Sequence, residues 1–381
     1  MRSFLQNLAL MLASILLALI GLEAACWTFA PPPKPGLPVN LMEVGPDGVW
    51  RITPNFQGIM DNRVDYTDAA VTSDAQGRRV VPAAPAQAPR RLLVLGDSQT
   101  FGHGISDGES WPNRLQERLI RRGAAVQVLN YAIPGTNIDQ YKARADTLIP
   151  MLGPSDTVLV GVSWNDLITP LPELKDGVPP PPATQSMQVI EGHLVSNSGE
   201  DRDAIAARVK FYKWSGIVIP PFQGVKSALD ALSQSSALVG LAYPHAKALY
   251  YRLRAQTPVA QLIGDGVPEG NFIWLAHMRD RIESKGGRMV VALLVERQFF
   301  EDEAYRVYSV NGRDYAPQDY MTHLAAPLCQ IYRMQCLNVF PLLHDHQAEG
   351  LVFRLDGHFN AKGAALLGPW LADQVFPPAG N

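Results

Sequence analysis

The sequence contains little cysteine and almost no net charge. Three cysteines among 381 residues leave few thiols to assign, and a formal net charge of −3 provides no electrostatic footprint for nucleic acid. The chain also lacks a heptad pattern, an internal repeat, a phosphate-binding loop, a dinucleotide fingerprint and zinc-finger spacing. We therefore expect no cofactor, no metal and no nucleic-acid partner.

Hydrophobic residues, by contrast, are plentiful and make up 47% of the chain, against 18% charged residues. A chain of this length and composition can bury a sizeable core, in one large domain or two. We place the main domain at residues 90–381. Residues 31–89 precede it as a proline-rich spacer and a turn-rich stretch that we expect to drape over the core.

The first 30 residues stand apart from the predicted fold. Arg2 precedes an uncharged apolar run at 8–22, which further apolar residues can lengthen to 4–27. This pattern is typical of export, either with a cleaved signal peptide or with a retained membrane anchor. With Arg2 before the run and Glu23 after it, the positive-inside bias places the domain on the periplasmic or extracellular side.

Export would also permit a disulfide. Cys329 and Cys336 are separated by six residues and can either pair across a helix end or remain as two buried thiols. The sequence leaves both possibilities open.

Short apolar runs alternate with amphipathic segments from residue 91 onward. They predict strands at 92–95, 125–130, 157–162, 287–295 and 336–339, and helices at 111–120, 140–148 and 361–375. Strands separated by single helices predict a parallel sheet with helices on both faces.

Residues 167–270 interrupt this alternation. Helix candidates occur there at 201–208, 225–233 and 246–254, and a proline run occupies 179–182. We interpret the segment as an insertion of loops and helices. It would form either a lid or substrate wall, or a helical packing subdomain.

Gly96-Asp97-Ser98-Gln99 follows the first predicted strand directly. A serine exposed at a tight turn, at the mouth of a parallel sheet, is a candidate nucleophile. The alternative is that Ser98 only caps the following helix. Asp97 is expected to brace the turn through hydrogen bonds rather than to act as an acid.

Asp356 and His358 lie near the other end of the chain, just before the last predicted helix. A serine hydroxyl needs a base, and a histidine held by a carboxylate is a common solution. In doubly wound sheets, loops at the carboxyl ends of strands converge on one crevice, which could bring His358 to Ser98.

Gly135 and Asn165 follow the second and third predicted strands. The Gly135 backbone N–H and the Asn165 amide are candidate donors to a developing oxyanion. The alternatives are a simple turn glycine and a loop cap.

Taken in order, Gly96-Asp97-Ser98, Gly135, Gly161-x-x-x-Asn165-Asp166 and Asp356-x-His358 resemble the motif blocks of the SGNH/GDSL hydrolase superfamily, in its exported, membrane-anchored bacterial form. The resemblance covers about 90–170 and 287–375. It implies a three-layer α/β/α flavodoxin-like sandwich with a parallel sheet.

The resemblance also implies roles for individual residues. Ser98 would be the nucleophile, His358 the base and Asp356 its orienting carboxylate. The backbone N–H groups of Ser98 and Gly135 and the side chain of Asn165 would form the oxyanion hole.

Two departures from the family pattern concern Gln99 and Asp356. Gln99 replaces the leucine of the family name. Asp356 precedes the histidine by two residues where many relatives have three. The shorter spacing is similar to that of exported members acting on polysaccharide O-acyl groups.

Two further histidine motifs have less specific interpretations. His103 lies between two glycines and could line the pocket near Ser98 or cap a helix. His344-Asp345-His346 alternates potential metal ligands, but no third ligand block accompanies it, so we expect a surface loop.

The leading hypothesis is an exported serine esterase that removes acyl groups, O-acetyl above all, from carbohydrate or cell-envelope glycan through an acyl-enzyme on Ser98. A polysaccharide O-acyltransferase would use the same residues, with a sugar hydroxyl replacing water. A non-catalytic glycan-binding or assembly protein on the same fold is the third hypothesis.

Overall fold

A computed structural model describes residues 2–32, 36–38, 40–45, 49–82, 88–169, 171, 187–190, 193–196, 266–301, 308–310, 313–315 and 325–378, together with residues 229, 232–233, 235–243 and 246. Along the chain come α1 (Arg2–Phe29), β1 (Met42–Val44), β2 (Trp50–Ile52), β3 (Gln57–Met60) and β4 (Ala69–Thr72). Next are β5 (Arg90–Leu95), α2 (Ser98–Phe101), α3 (Trp111–Arg121), β6 (Val126–Asn130), α4 (Ile138–Leu148), β7 (Thr157–Val162) and α5 (Trp164–Ile168).

The second half of the chain contributes β8 (Met187–Ile190), β9 (His193–Ser196), α6 (Val267–Glu283), β10 (Arg288–Leu293), α7 (Arg297–Phe300), β11 (Tyr308–Val310) and β12 (Arg313–Tyr315). The last elements are α8 (Ala326–Ile331), β13 (Cys336–Asn338), α9 (Phe340–Asp345) and α10 (Ala361–Val375).

Five strands form one parallel sheet in the order β6-β5-β7-β10-β13. Numbered along the chain, this is the order 2-1-3-4-5 of flavodoxin-like sheets. Every residue of the central strand β7 is buried, because parallel sheets are covered on both faces. The predicted α/β fold is thereby confirmed. Its switch point lies between β5 and β7, where ligands of such sheets bind.

The helices that flank this sheet pack in two groups. α3 packs against α10, and α6 packs against α4 and α5. Helix α3 presents Trp111, Leu115 and Leu119 to the core at the spacing of one helical face, and all three are fully buried. The α3–α10 pair thus fixes the last helix, and the loop before it, against the sheet.

Residues 36–82, called here the N-terminal segment, fold onto the edge of this domain. Two antiparallel hairpins, β1–β2 and β3–β4, carry a small apolar core that includes Trp50, Met60 and Tyr66. Phe101 and Ile133 of the main domain complete this core. A backbone hydrogen bond from Arg79 N to Asn130 O, 3.2 Å long, joins the segment to β6.

Most of the predicted insertion at 167–270 lies outside the described residues. Its helix candidates at 201–208, 225–233 and 246–254 lie there almost entirely, as does the proline run at 179–182. Within the described part, β8 and β9 pair as an antiparallel hairpin.

Cys329 and Cys336 form a disulfide between α8 and the start of β13. Of the two possibilities that the sequence left open, the structure has the paired form. The bridge ties the edge strand of the sheet to the helix that precedes it.

The apolar N-terminal run forms the single long helix α1, which continues past Glu23 to Phe29. By length and composition residues 3–29 could cross a membrane, and none of this stretch is buried inside the protein. Such a helix near the beginning of a chain is compatible with a signal peptide and with an anchor alike.

Candidate active site

The turn after β5 presents Ser98 at the first position of α2. Gly96 has a φ of 153°, and a Cβ there would lie 2.3 Å from Thr100 Oγ1 and 2.9 Å from the Gly161 carbonyl oxygen. Only glycine fits this close approach of β5 to β7. Asp97 then caps the helix, since its Oδ1 accepts the Gln99 N–H at 2.9 Å. Ser98 is left half-buried at the helix start, where its own N–H has no intrahelical acceptor.

Asp97 links the ends of two neighbouring strands. Its carboxylate is buried, and Ser163 Oγ, just after β7, donates to Oδ1 at 3.1 Å. The nearby Asn165 side chain lowers the pKa of this carboxylate. Burial raises the pKa of Asp97, while the Gln99 N–H and His358 oppose that effect. Asp97 therefore braces the turn, in the position expected from the sequence.

His358 and Asp356 lie opposite Ser98, in the loop before α10. His358 Nε2 is 2.7 Å from Ser98 Oγ, and His358 Nδ1 hydrogen-bonds to Asp356 Oδ1. A carboxylate only accepts, so Nδ1 carries the proton and Nε2 is free to accept from the serine hydroxyl. Burial would raise the pKa of Asp356, but its hydrogen bond to His358 and its electrostatic attraction to that imidazole lower it overall. Asp356 is therefore ionised near neutral pH.

The backbone of this loop is folded back on itself. Phe353 N donates to His358 O at 2.8 Å, and Val352 and Phe359 form a bridge on either side. Asn360 then caps α10 by accepting from the N–H groups of Lys362 and Gly363. The histidine is consequently held between a narrow loop and a capped helix.

Gly135 and Asn165 lie after β6 and β7, the two strands that flank β5 in the sheet. Gly135 is an exposed turn residue with a φ of 73°, and Asn165 is an exposed residue of α5. The turn that leads to Gly135 is joined to the nucleophile turn, because Ile133 N donates to Gly96 O at 2.9 Å. Both candidate donors therefore belong to loops that are hydrogen-bonded to the Ser98 turn.

His103 lies in the site rather than at a helix cap. Its ring stacks on that of His358, with centroids 4.4 Å apart and planes inclined by 14°. Burial, followed by the proximity of His358, lowers the pKa of His103 to about 4. His103 is therefore neutral at physiological pH.

The sequence did not predict the contacts that Asp65, Tyr66 and Gln99 make near the site. Tyr66 OH lies 2.6 Å from His103 Nε2, and Asp65 accepts the Asp356 N–H at 2.7 Å. Both come from the N-terminal segment, about 290 residues away along the chain. No periodicity or motif spacing signals a contact of this kind.

His103, Asp356 and His358 are also the group of potential metal ligands among the described residues, with one ligand atom of each within 4.8 Å of the others. Their atoms are already hydrogen-bonded to one another, to Ser98 or to Tyr66, which suits proton transfer better than coordination. His344 and Asp345, expected in a surface loop, instead end helix α9, and His346 follows it and pairs with Glu349.

Comparisons with known proteins indicate the family of this chain. A sequence model of the GDSL-like lipase/acylhydrolase family matches residues 94–366. An arylesterase of Vibrio mimicus is 32% identical over 127 residues, which are 33% of this chain and 59% of that protein. The match thus spans less than two thirds of the curated relative.

Two solved structures are similar to this chain. A lipolytic protein of the G-D-S-L family from Veillonella parvula has 13% identity and a TM-score of 0.36, over 76% of this chain and 100% of that one. The psychrotrophic esterase EstA of a Pseudoalteromonas species has 11% identity and a TM-score of 0.38, over 75% of this chain and 96% of that one.

Proposed function

We propose an esterase function, with Ser98 as nucleophile, for this chain, which belongs to the GDSL-like lipase/acylhydrolase family. One observation carries the proposal: Ser98 Oγ lies 2.7 Å from His358 Nε2, while His358 Nδ1 is held by Asp356. Nucleophile, base and orienting carboxylate therefore stand in one hydrogen-bonded line.

In the proposed reaction, Ser98 Oγ attacks the ester carbonyl carbon and its proton passes to His358 Nε2. The Asp356 carboxylate stabilises the imidazolium that forms. The tetrahedral intermediate collapses as His358 protonates the leaving alcohol, and an acyl-enzyme remains on Ser98. Water, deprotonated by His358, then attacks the acyl group, and the carboxylic acid leaves with Ser98 regenerated.

The developing oxyanion needs donors in a preorganised position. The Ser98 N–H at the start of α2, the Gly135 N–H and the Asn165 amide are proposed for this role. The hydrogen bond from Ser163 Oγ to Asp97 Oδ1, 3.1 Å long, supports it, because it holds the start of α5, which carries Asn165, next to the Ser98 turn. Removing one such donor typically costs about 10²–10³ in kcat.

As substrate we propose an O-acetyl ester on carbohydrate or cell-envelope glycan. The support is the two-residue spacing of Asp356 and His358, which is similar to that of exported relatives acting on polysaccharide O-acyl groups. The same acyl-enzyme could also pass its acyl group to a sugar hydroxyl. Acyl transfer is therefore an outcome that the experiment must be able to detect.

We also propose that α1 is retained as a membrane anchor, with the enzyme on the periplasmic or extracellular face. Glu23 supports this, because its carboxylate accepts hydrogen bonds from Ala237 N at 2.7 Å, Ser236 Oγ at 3.0 Å and Leu238 N at 3.1 Å. A helix that was cleaved off would leave these donors without their acceptor.

The experiment uses the full chain in detergent micelles and a small activated acetyl ester. The wild type should hydrolyse it, and Ser98→Ala should abolish hydrolysis. Activity that survives in Ser98→Ala would contradict the nucleophile assignment, and a wild type with neither hydrolysis nor acyl transfer would favour a binding protein. Adding glycan acceptors and measuring the acyl content of the sugar then separates hydrolysis from transfer.

A further inference from the structure

A tyrosine from the N-terminal segment extends the line of catalytic groups outward. Tyr66 OH lies 3.4 Å from Asp356 Oδ2, the carboxylate oxygen that His358 does not use, and 2.6 Å from His103 Nε2. The Tyr66 ring packs against Phe353 with centroids 5.1 Å apart. The phenol is thus wedged between the carboxylate and the histidine that stacks on His358.

The turn that carries Tyr66 is itself rigidly built. Asn62 Oδ1 accepts the N–H groups of Val64, Asp65 and Tyr66 at 3.1, 2.8 and 3.2 Å. Asn62 is buried, so this Asx-type turn is protected from water. The turn itself therefore fixes the position of Tyr66, independently of the contacts of Tyr66 with the loop before α10.

The same turn also hydrogen-bonds to the backbone of the loop before α10, which carries Asp356 and His358. Asp65 Oδ2 accepts the N–H of Asp356 at 2.7 Å and the N–H of Leu355 at 3.1 Å. Asp356 is consequently contacted twice by residues about 290 positions earlier, through its backbone by Asp65 and through its side chain by Tyr66.

Resting on the proposed esterase function, we propose that Tyr66 is a positioning residue that acts through Asp356. Its hydroxyl donates to Asp356 Oδ2, which prevents the carboxylate from rotating and keeps Oδ1 on His358 Nδ1. His103 Nε2–H donates to the Tyr66 oxygen, which leaves the phenol proton for Asp356, and the His103 ring supports the His358 ring by stacking.

The protonation states of the neighbouring groups agree with these roles. Burial, followed by the negative charge of Asp356, raises the pKa of Tyr66, so its hydroxyl keeps its proton. Asp61 and Asp65 also face it and act in the same direction. His103, neutral at working pH, places no cation against His358 when that ring takes the serine proton. The positive charge of Arg79 also lowers the pKa of His103 and so disfavours a second positive charge there.

Tyr66→Phe tests the proposal, because it removes one oxygen and keeps the packed ring. A hydrogen bond to a charged group is worth about ten-fold in rate, so kcat should fall about ten-fold with KM within about two-fold. Tyr332→Phe is the matched control: its hydroxyl also donates to a carboxylate, that of Glu269, at 3.4 Å and far from the site. It should leave kcat unchanged.

A double-mutant cycle shows whether Tyr66 acts through Asp356. In an Asp356→Ala background, which should keep the residual catalysis typical of a triad that lacks one member, Tyr66→Phe should cause no further loss. A full additional ten-fold loss in that background would overturn the proposal, as would unchanged kcat in Tyr66→Phe alone or an equal loss in Tyr332→Phe.

Ser98→Ala, measured in parallel, separates this inference from the proposed function. If Ser98→Ala stays active, the esterase mechanism itself fails. If Ser98→Ala is inactive while Tyr66→Phe has wild-type kcat, the mechanism stands and only the role of Tyr66 is overturned. Thermal unfolding of each variant identifies a loss of activity caused by loss of folded protein.

Discussion

Gln99 Oε1 accepts a hydrogen bond from the backbone N–H of Phe359, 3.1 Å away. Gln99 follows Ser98 in the turn after β5, and Phe359 follows His358 in the loop before α10. This single contact therefore ties together the two segments that carry Ser98 and His358. The residue that departs from the family's leucine has a structural use of its own.

Gln99→Leu should weaken this tie. It leaves the buried Phe359 N–H without an acceptor, which costs about 1–3 kcal/mol of unfolding free energy. The lost contact holds together the two segments that carry Ser98 and His358, so kcat should also fall. The fall is about ten-fold for each 1.4 kcal/mol by which the activation free energy rises. Denaturant unfolding and steady-state kinetics measure the two effects.

The matched control is Gln116→Leu. Gln116 is also buried, and its side-chain amide makes two contacts with backbone, to Val126 O at 3.1 Å and Val128 N at 2.7 Å, away from the site. Gln116→Leu should lower the free energy of unfolding and leave kcat per folded molecule unchanged. Equal losses of kcat in both variants would show that Gln99 has no special effect on the site.

The sequence predicted the fold where patterns are local. Each strand of the main sheet lies within two residues of its predicted bounds, and the α/β class and the family are confirmed. Hydrophobic runs and glycine turns are local sequence patterns, so they can be recognised without knowledge of the tertiary structure. At the level of the family, the prediction of an ester hydrolase is confirmed as well, while the roles of single residues stay predictions.

The contacts of the N-terminal segment could not be predicted in the same way. Tyr66 and Asp65 reach the site through a non-local packing contact, and neither belongs to a periodic pattern. The expectation that residues 31–89 drape over the core did not identify which of these residues contact the site. Such contacts depend on how two surfaces fit, which a single sequence does not encode in its spacing.

Stability should depend on pH through His103. Burial lowers its pKa to about 4 in the folded protein, whereas an unfolded histidine titrates near pH 6.5. Between these values the unfolded state binds more protons, so stability falls as the pH is lowered. From pH 6.5 to pH 5 the loss should reach about 2 kcal/mol from this group.

His103→Phe isolates this effect, since it keeps a flat ring beside His358 and cannot take a proton. The free energy of unfolding, measured at pH 7, 6 and 5, should fall less steeply in the variant than in the wild type. His277, whose pKa is lowered by partial burial, contributes equally to both proteins. Parallel curves for the two proteins would show that His103 is not held neutral by the fold.

Arg79 should be critical for the segment that follows Ser98. Its side chain is fully buried, and it donates to the carbonyls of Phe101 at 2.7 Å, Gly102 at 2.6 Å and Ile105. It also pairs with Asp107 at 3.3 Å. Arg79→Met leaves these acceptors without a donor, and removing one partner of a buried ion pair costs about 3–5 kcal/mol.

Thermal unfolding measures the cost of Arg79→Met, with Arg121→Met as control. Arg121 has a side chain 62% exposed, so its replacement should change stability by less than about 0.5 kcal/mol. If Arg79→Met were as stable as Arg121→Met, the buried guanidinium would not be what holds the end of α2.

A retained anchor predicts that Glu23 stays in the mature protein. Exported from a bacterial host, the protein should keep a mass that includes α1 and should remain in the membrane fraction after an alkaline wash.

Hydrogen exchange tests the contacts of Glu23. Because Glu23 accepts from Ser236, Ala237 and Leu238, Glu23→Ala should accelerate hydrogen exchange of the last two amides. Ser14→Ala is the control, since the Ser14 hydroxyl donates only to Leu10 within α1 and should leave those amides protected. A mature protein that lacks residues up to Glu23 would instead identify α1 as a cleaved signal.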